Sequence, residues 1–433
     1  MRSGEKDRGA VLSAAEVGVA RSDVIVLGAG IVGTSIATHL AKKGLTVALV
    51  DRGAPGEATS YGNSGIIEGN TIFPAAFPPD FAEVLRVALK RSPIANYHLA
   101  FLPKIAPWLL AFRAASTPAR LVETAHLMRP LLARAVAEHE ALAVEAKAER
   151  YLRRNGWLKL YRTDKSFAGT ARERELAKEL SIANVPLDPD AARALEPSLA
   201  PVFRHAVHWT GAVSVSNPLA LTRAYVARYA ALGGMSFAGD ARTLHRNGAN
   251  WRVDTSAGAL DAGNVVLALG PWLKDVLDPL GVKLPLAVKR GYHRHFRGKG
   301  NAALSRPVLD ADNGYVLAPM EQGIRLTTGA EFAARDAKPT PVQFDRLMPA
   351  ARELFALGDP VEAQPWMGAR PCFADSRPVI GPAPGLSGLW VAGGHGHWGL
   401  TLGAVTGRLM TEMIIGETPF CDPAPYSAER FLK

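Results

Sequence analysis

Asp23-Val24-Ile25-Val26-Leu27-Gly28-Ala29-Gly30-Ile31-Val32-Gly33 is the stretch that decides the fold of this chain. Asp23 to Leu27 is a short apolar run of the kind that forms buried parallel strands. The glycines that follow fit G-x-G-x-x-G. Gly28 permits a tight turn, Gly30 lets the backbone approach a pyrophosphate, and Gly33 lets a helix pack closely on the strand. That helix is expected from about Ile31 to Lys43, with Val32, Ile36 and Leu40 toward the sheet. Gly44 ends it where a left-handed cap is wanted. Leu45 to Val50 reads as a second strand and Asp51 closes it.

Strand, turn, helix, glycine cap, strand and terminal carboxylate thus arrive in order within one unit of roughly thirty residues. A nucleotide-free αβ turn needs no such order, so the expected ligand is an adenine dinucleotide. Asp51 would accept from a ribose hydroxyl, and the helix N-terminus would face the diphosphate.

The rest of the chain bounds what surrounds this unit. At 433 residues it has material for two cores. With 48% hydrophobic and 21% charged residues it reads as a folded globular protein. Residues 1–21, rich in charge, Gly and small side chains, are expected to be a disordered tail, without the sustained apolar core of a signal peptide. The net charge of +10 suits an anionic cofactor and carboxylate substrates. No basic run is interleaved with aromatics, so nucleic acid is not an expected partner. Cys372 and Cys421 make neither a disulfide framework nor a metal site, and no metal is expected. Their scarcity fits a reducing compartment, the cytoplasm or the inner face of a membrane. Leu99 to Ala115 is apolar but broken by Pro103, Lys104, Pro107 and Arg113. It reads either as a core or interface helix, or as a segment lying on a membrane surface.

After Asp51, Arg52-Gly53 leads into Pro55-Gly56-Glu57-Ala58-Thr59-Ser60-Tyr61-Gly62-Asn63-Ser64-Gly65. A backbone lying flat along an extended cofactor needs such small residues, although ordinary loops share the composition. On this segment the chain resembles the D-amino acid oxidase-like flavoproteins, the family of glycine oxidase, sarcosine oxidase and bacterial D-amino acid dehydrogenase. The dehydrogenase branch (small subunit) is the nearest match. The resemblance returns at Gly211 through Asn217-Pro218 to Gly233-Gly234, and at Val265 to Trp272. It returns again in Trp366-Met367-Gly368-Ala369-Arg370-Pro371, in Asp375 to Gly381, and in Leu389 to Thr401. It covers about Val24 to Phe431 and is thin between about Phe81 and Pro201.

The resemblance implies FAD bound non-covalently. Together with the opening motif, it places Gly28, Gly30, Ile31, Val32, Gly33, Asp51, Arg52, Thr59, Ser60, Asn63, Ser64 and Gly65 along the cofactor. Further on it adds Ala268, Gly270, Trp272, Gly394, His395, Gly396, Gly399, Leu400 and Thr401. The helix after Gly399 would start beneath the pyrimidine end of the flavin. Arg370 is the expected substrate anchor, because a guanidinium fork matches a carboxylate bidentately. Tyr292 and Tyr315 are expected to roof the substrate, each offering an apolar wall and a hydroxyl. His395 is expected beside the ring, where it would donate to the flavin or contact the substrate's amine side. His397 is expected to be structural, and Cys372 a free thiol that does not tether the cofactor.

The implied reaction is oxidation of an amino acid by hydride transfer from its α-carbon to flavin, followed by hydrolysis of the imino acid. Preference for the D configuration is implied by the resemblance alone. Three readings stay open: a dehydrogenase passing electrons to a quinone or carrier, an oxidase using oxygen, and a flavin-bearing docking subunit of a larger complex. The expected architecture is α/β. A Rossmann-type FAD-binding domain (22–95, 206–285 and 363–433) joins an α+β substrate domain (96–205 and 286–362) that carries an antiparallel sheet. The helical stretch 117–149 is expected to kink or split at Pro130.

Overall fold

The structure is a computed structural model that describes residues 20–69, 73, 74, 76–78 and 80–432. Ala20–Leu27 lies between Val47–Asp51 and Gly258–Leu267, parallel to both. Met235–Ala238 and Leu389–Gly393 extend this parallel core on either side. Val24 to Leu27 have no exposed surface, as a strand covered on both faces requires. The helix Ile31–Lys42 follows the first strand, and Gly44 at φ +85° turns the chain back. The helix Gly399–Ile414 lies against it. Close approach there depends on small residues, since a Cβ on Gly407 would sit 2.8 Å from the Ser35 backbone.

Outside this core lies an eleven-stranded second sheet. Its long strand Ala287–Gly298 pairs antiparallel with Trp366–Cys372 on one side and Gly323–Thr327 on the other. Tyr315–Met320, Val308–Asp310, Trp157–Tyr161 and His205–Trp209 follow in order. Their register aligns Trp366, His293, Thr327, Val316, Leu309 and Lys159 in one row across the sheet. Paired residues share a face and successive residues alternate faces. This row, with its neighbours two residues away, therefore faces the first sheet. The opposite face packs Tyr292, Tyr315, Leu317 and Leu326 into a core of their own.

Several expectations differ from what is seen. Ala20 and Arg21, counted in the disordered tail, pair with Leu260 and Asp261 as strand; residues 1–19 lie outside the described residues. The segments expected to re-enter the cofactor domain at 206 and 363 each supply a strand, His205–Trp209 and Trp366–Cys372, to the second sheet instead. Pro130 does not split its helix, which runs from Pro118 to Glu145. Burial of Met128, Leu131, Leu132 and Ala135 around the proline holds those turns in place. In the helix Leu102–Ala115, Ile105, Trp108 and Phe112 are buried, and Trp108 Nε1 donates to the Cys372 carbonyl at 3.2 Å. That face is core. No helix among the described residues is long and apolar enough to cross a membrane.

Candidate active site

A cavity of about 760 Å³ runs between the two sheets. Gly28, Gly30, Ile31 and Val32 form part of its wall. Gly28 takes φ +107°, and a Cβ there would lie 2.4 Å from the Ala268 carbonyl oxygen, so only glycine fits. Gly33 stands outside the wall. Its role is packing, since a Cβ would lie 1.9 Å from the Gly28 oxygen. Asp51 is fixed by its own turn, accepting from Ala29 N at 2.7 Å and Gly53 N at 2.9 Å, and still lines the cavity. Arg52 stacks over the Trp272 ring at 4.6 Å. Ser60 Oγ accepts from Ile31 N at 2.9 Å, and Thr59 Oγ1 donates to the Ala369 carbonyl at 3.0 Å, tying this loop to the second sheet. Asn63, Ser64, Ala268 and Gly270 also line the cavity; Gly65 does not, being packed on the Val215 carbonyl.

The glycine turn after Leu389–Gly393 brings His395, Gly396, Gly399 and Leu400 to the wall at the start of the last helix. His395 Nε2 shares a hydrogen bond with Thr406 Oγ1 at 3.1 Å, and burial depresses its pKa to about 4. It is a neutral ring at physiological pH. His397 also lines the cavity, and burial, reinforced by Lys289 and Arg370, lowers its pKa to about 3. Gly394 is set back against Phe373. Thr401 is set back too: its Oγ1 donates to the Ile66 carbonyl and accepts from Glu68 N, each at 3.1 Å.

Arg370 comes from the strand Trp366–Cys372 and lines the cavity. Its guanidinium donates to the Thr328 and Gly329 carbonyls at 3.0 Å each. Room for it exists because residue 291 is glycine; a Cβ there would lie 2.4 Å from Nη2. Burial lowers the Arg370 pKa, yet a guanidinium remains charged in proteins.

The two tyrosines are corrected by register. Tyr315 lies on the far face, is fully buried and donates to the Ala350 carbonyl at 3.2 Å; its neighbour Val316 lines the cavity. Tyr292 borders the cavity, but its hydroxyl is fully engaged. It donates to Glu331 at 2.6 Å and accepts from Arg290 Nη2 at 2.9 Å and Thr340 N at 2.8 Å. Neither hydroxyl is available to a substrate in this arrangement. On Ala287–Gly298 it is Gly291, not Tyr292, that faces Arg370, and a glycine inside a strand was the available sign of a close approach.

Some site groups were not anticipated. Arg325, buried, donates to the Tyr61 carbonyl at 2.8 Å and the Asn63 carbonyl at 2.5 Å. Its Nε donates to His295 Nε2 at 2.9 Å, which leaves the His295 proton on Nδ1, facing Glu362. A chain of three side chains thus holds the loop that borders the cavity. Trp366 stacks on His293, and Glu68, Lys159 and Glu173 add ionisable groups to the cavity wall. These residues are separated in sequence by tens to hundreds of positions, and no local pattern joins them.

The cradle fits an extended dinucleotide. Helix N-cap Gly30 has no side-chain cap and the first turn holds no acid, which leaves that end suited to an anion. A parallel strand–turn–helix core faces a mostly antiparallel sheet across one cavity, an arrangement that suits a dinucleotide-dependent enzyme. The chain belongs to the DAO family of FAD dependent oxidoreductases, whose family model matches residues 23–413. It is 30% identical over 417 residues to a D-amino-acid oxidase of Bradyrhizobium diazoefficiens, covering 94% of this chain and 99% of that protein. It is also 30% identical over 441 residues to a D-amino acid dehydrogenase of Cereibacter sphaeroides, covering 94% and 95%. The crystal structure of glycine oxidase from Geobacillus kaustophilus superposes with a TM-score of 0.74 at 23% identity, covering 95% of this chain and 99% of that one.

Proposed function

We propose that this enzyme oxidises an amino acid, of D configuration, to the imino acid, which water converts to a keto acid and ammonia. Arg370 carries the reading: a cation on the cavity wall, clamped by two carbonyls and opposed by a glycine, is built to receive a carboxylate. Bound FAD would supply the two-electron acceptor for hydride from the α-carbon. The glycine turn at 28–33, Asp51, Arg52, Ser60 and the start of the helix at Gly399 would hold it. Cys372 donates to the Arg370 carbonyl and is absent from the cavity wall, in keeping with a cofactor held without a covalent bond. His395, neutral and hydrogen-bonded through Nε2, would serve as a fixed wall group rather than a proton carrier.

Electrons would leave to a quinone. Phe81, Leu85 and Leu89 form an exposed apolar stripe 77%, 46% and 54% accessible, flanked by Arg86, Lys90 and Arg91. Apolar anchors beside cations suit an anionic lipid surface. The relative named D-amino-acid oxidase supports oxygen as the other acceptor. The test is anaerobic mixing of the yellow protein with D-amino acids, D-proline types and N-methyl glycines. Bleaching supports the reaction, and reoxidation by a quinone analogue or by air, with peroxide, separates the acceptors. No bleaching refutes it.

A further inference from the structure

Gly368 and Gly291 face each other across the paired strands Trp366–Cys372 and Ala287–Gly298, and both line the cavity. Each leaves a gap that a longer neighbour fills. A Cβ on Gly291 would lie 2.4 Å from Arg370 Nη2, and a Cβ on Gly368 would lie 2.2 Å from Trp366 Cη2. Facing Cβ positions on paired strands are about 4.5–5.5 Å apart. The tip of the indole and the guanidinium therefore stand no more than about 10 Å apart on one wall.

The indole is held there from several sides. A Cβ on Gly62, in the loop after Asp51, would lie 1.8 Å from Trp366 Cζ3, so the ring tip is wedged between two glycines. Its cross-strand partner His293 stacks on it with ring centres 4.8 Å apart, and Tyr61 meets it in a T-shaped contact at 5.5 Å. Burial, with Arg325 and His295 nearby, depresses the His293 pKa to about 2, so the backing ring is neutral. A fixed, partly exposed aromatic ring thus lines the cavity beside the carboxylate anchor.

Reach decides what meets this ring. A hydrogen bond of about 2.9 Å to the fork, the bonds from carboxylate to β-carbon, and a carbon contact of about 3.5–4.0 Å together cover the gap. An apolar wall at that distance accepts a short carbon side chain and stops growth beyond it. We propose that Trp366 determines side-chain specificity: its indole is the wall that the substrate's side chain meets, admitting small apolar side chains and excluding bulky ones. The inference rests on the amino-acid oxidation proposed above.

The test mixes the holoenzyme anaerobically with alanine and phenylalanine in both configurations and follows the second-order rate of flavin bleaching. Wild type is expected to prefer alanine. Trp366→Ala, checked for bound flavin by its visible spectrum, should raise the phenylalanine-to-alanine ratio by at least about tenfold, the scale on which a pocket discriminates between side chains. Trp366→Phe keeps a shorter ring in the slot and should raise the ratio by at least about threefold. It decides the matter alone if the alanine variant holds no flavin. General damage slows both substrates and cancels in the ratio. A ratio unchanged in the flavin-bearing variants overturns the wall, as does a wild-type preference for phenylalanine, and either result leaves the oxidation in place. No bleaching of the wild-type flavin by any amino acid overturns the oxidation itself.

Discussion

Replacing Arg370 by methionine removes the guanidinium and keeps an unbranched side chain. Of the five N–H donors on an arginine fork, two are committed to the Thr328 and Gly329 carbonyls. The remainder are enough for a two-point grip on a carboxylate. At about 1.5–3 kcal/mol for each charge-assisted hydrogen bond, losing that grip costs about 3–6 kcal/mol. In rate terms this is a fall in kcat/KM of roughly 10² to 10⁴. The assay is steady-state turnover of an amino acid beside its amide, which has the same side chain and no carboxylate. Arg370→Met should strike the acid and largely spare the amide, and Arg370→Lys should fall between, keeping charge without the fork. A loss below about tenfold, or an equal loss on both substrates, would show that the arginine only clamps the two carbonyls.

Tyr292→Phe should leave kcat/KM within about threefold, because the hydroxyl serves Glu331, Arg290 and Thr340, but should cost about 1–3 kcal/mol of stability in denaturant titration. A large kinetic loss with unchanged stability would return the tyrosine to the substrate. Arg325→Met should weaken FAD binding by at least about tenfold in a fluorescence titration, since the Tyr61 and Asn63 carbonyls lose their donor. Unaltered affinity would sink that role. Glu68→Gln addresses pH. The folded pKa of Glu68 is raised from 4.5 to about 7. Its contribution is therefore fully present below the unfolded value and is lost as pH rises through about 7. The variant should gain stability over wild type at pH 8, read as a higher Tm and amounting to up to a few kcal/mol at about 1.4 kcal/mol per unit, and the gain should vanish below about pH 4.5. An advantage independent of pH would mean that this carboxyl does not titrate as described.

The cofactor half was legible because its constraints are local. Gly33 is required by the Gly28 carbonyl five residues away, Gly28 and Gly44 by the positive φ of their own turns, and the strand–turn–helix order repeats at Leu389 to Thr401. The substrate half was legible only in outline. Tyr315 and Val316 are adjacent, and which of them faces the cavity depends on the register of their strand with Val308–Asp310 and Gly323–Thr327, which residue type does not fix. A one-residue change of register exchanges the two faces, so residue type alone favoured the wrong neighbour. Tyr292 borders the cavity, but it shares a face with Glu331 while Lys289 and Gly291 turn inward, so its hydroxyl is spent on that side. Pro130 does not split its helix because a locally unfavourable proline is tolerated when buried side chains on both sides hold the turns.

The row from Trp366 to Lys159 has a consequence for how such enzymes diversify. Positions 157, 159, 309 and 316 come from three short strands that contribute nothing to the dinucleotide-binding sheet. Exchanges there would retune which molecule is consumed, while the glycine-dependent half goes on holding its coenzyme unchanged. A lineage can thus sample new fuels by editing a few letters on one wall, with its redox engine left running.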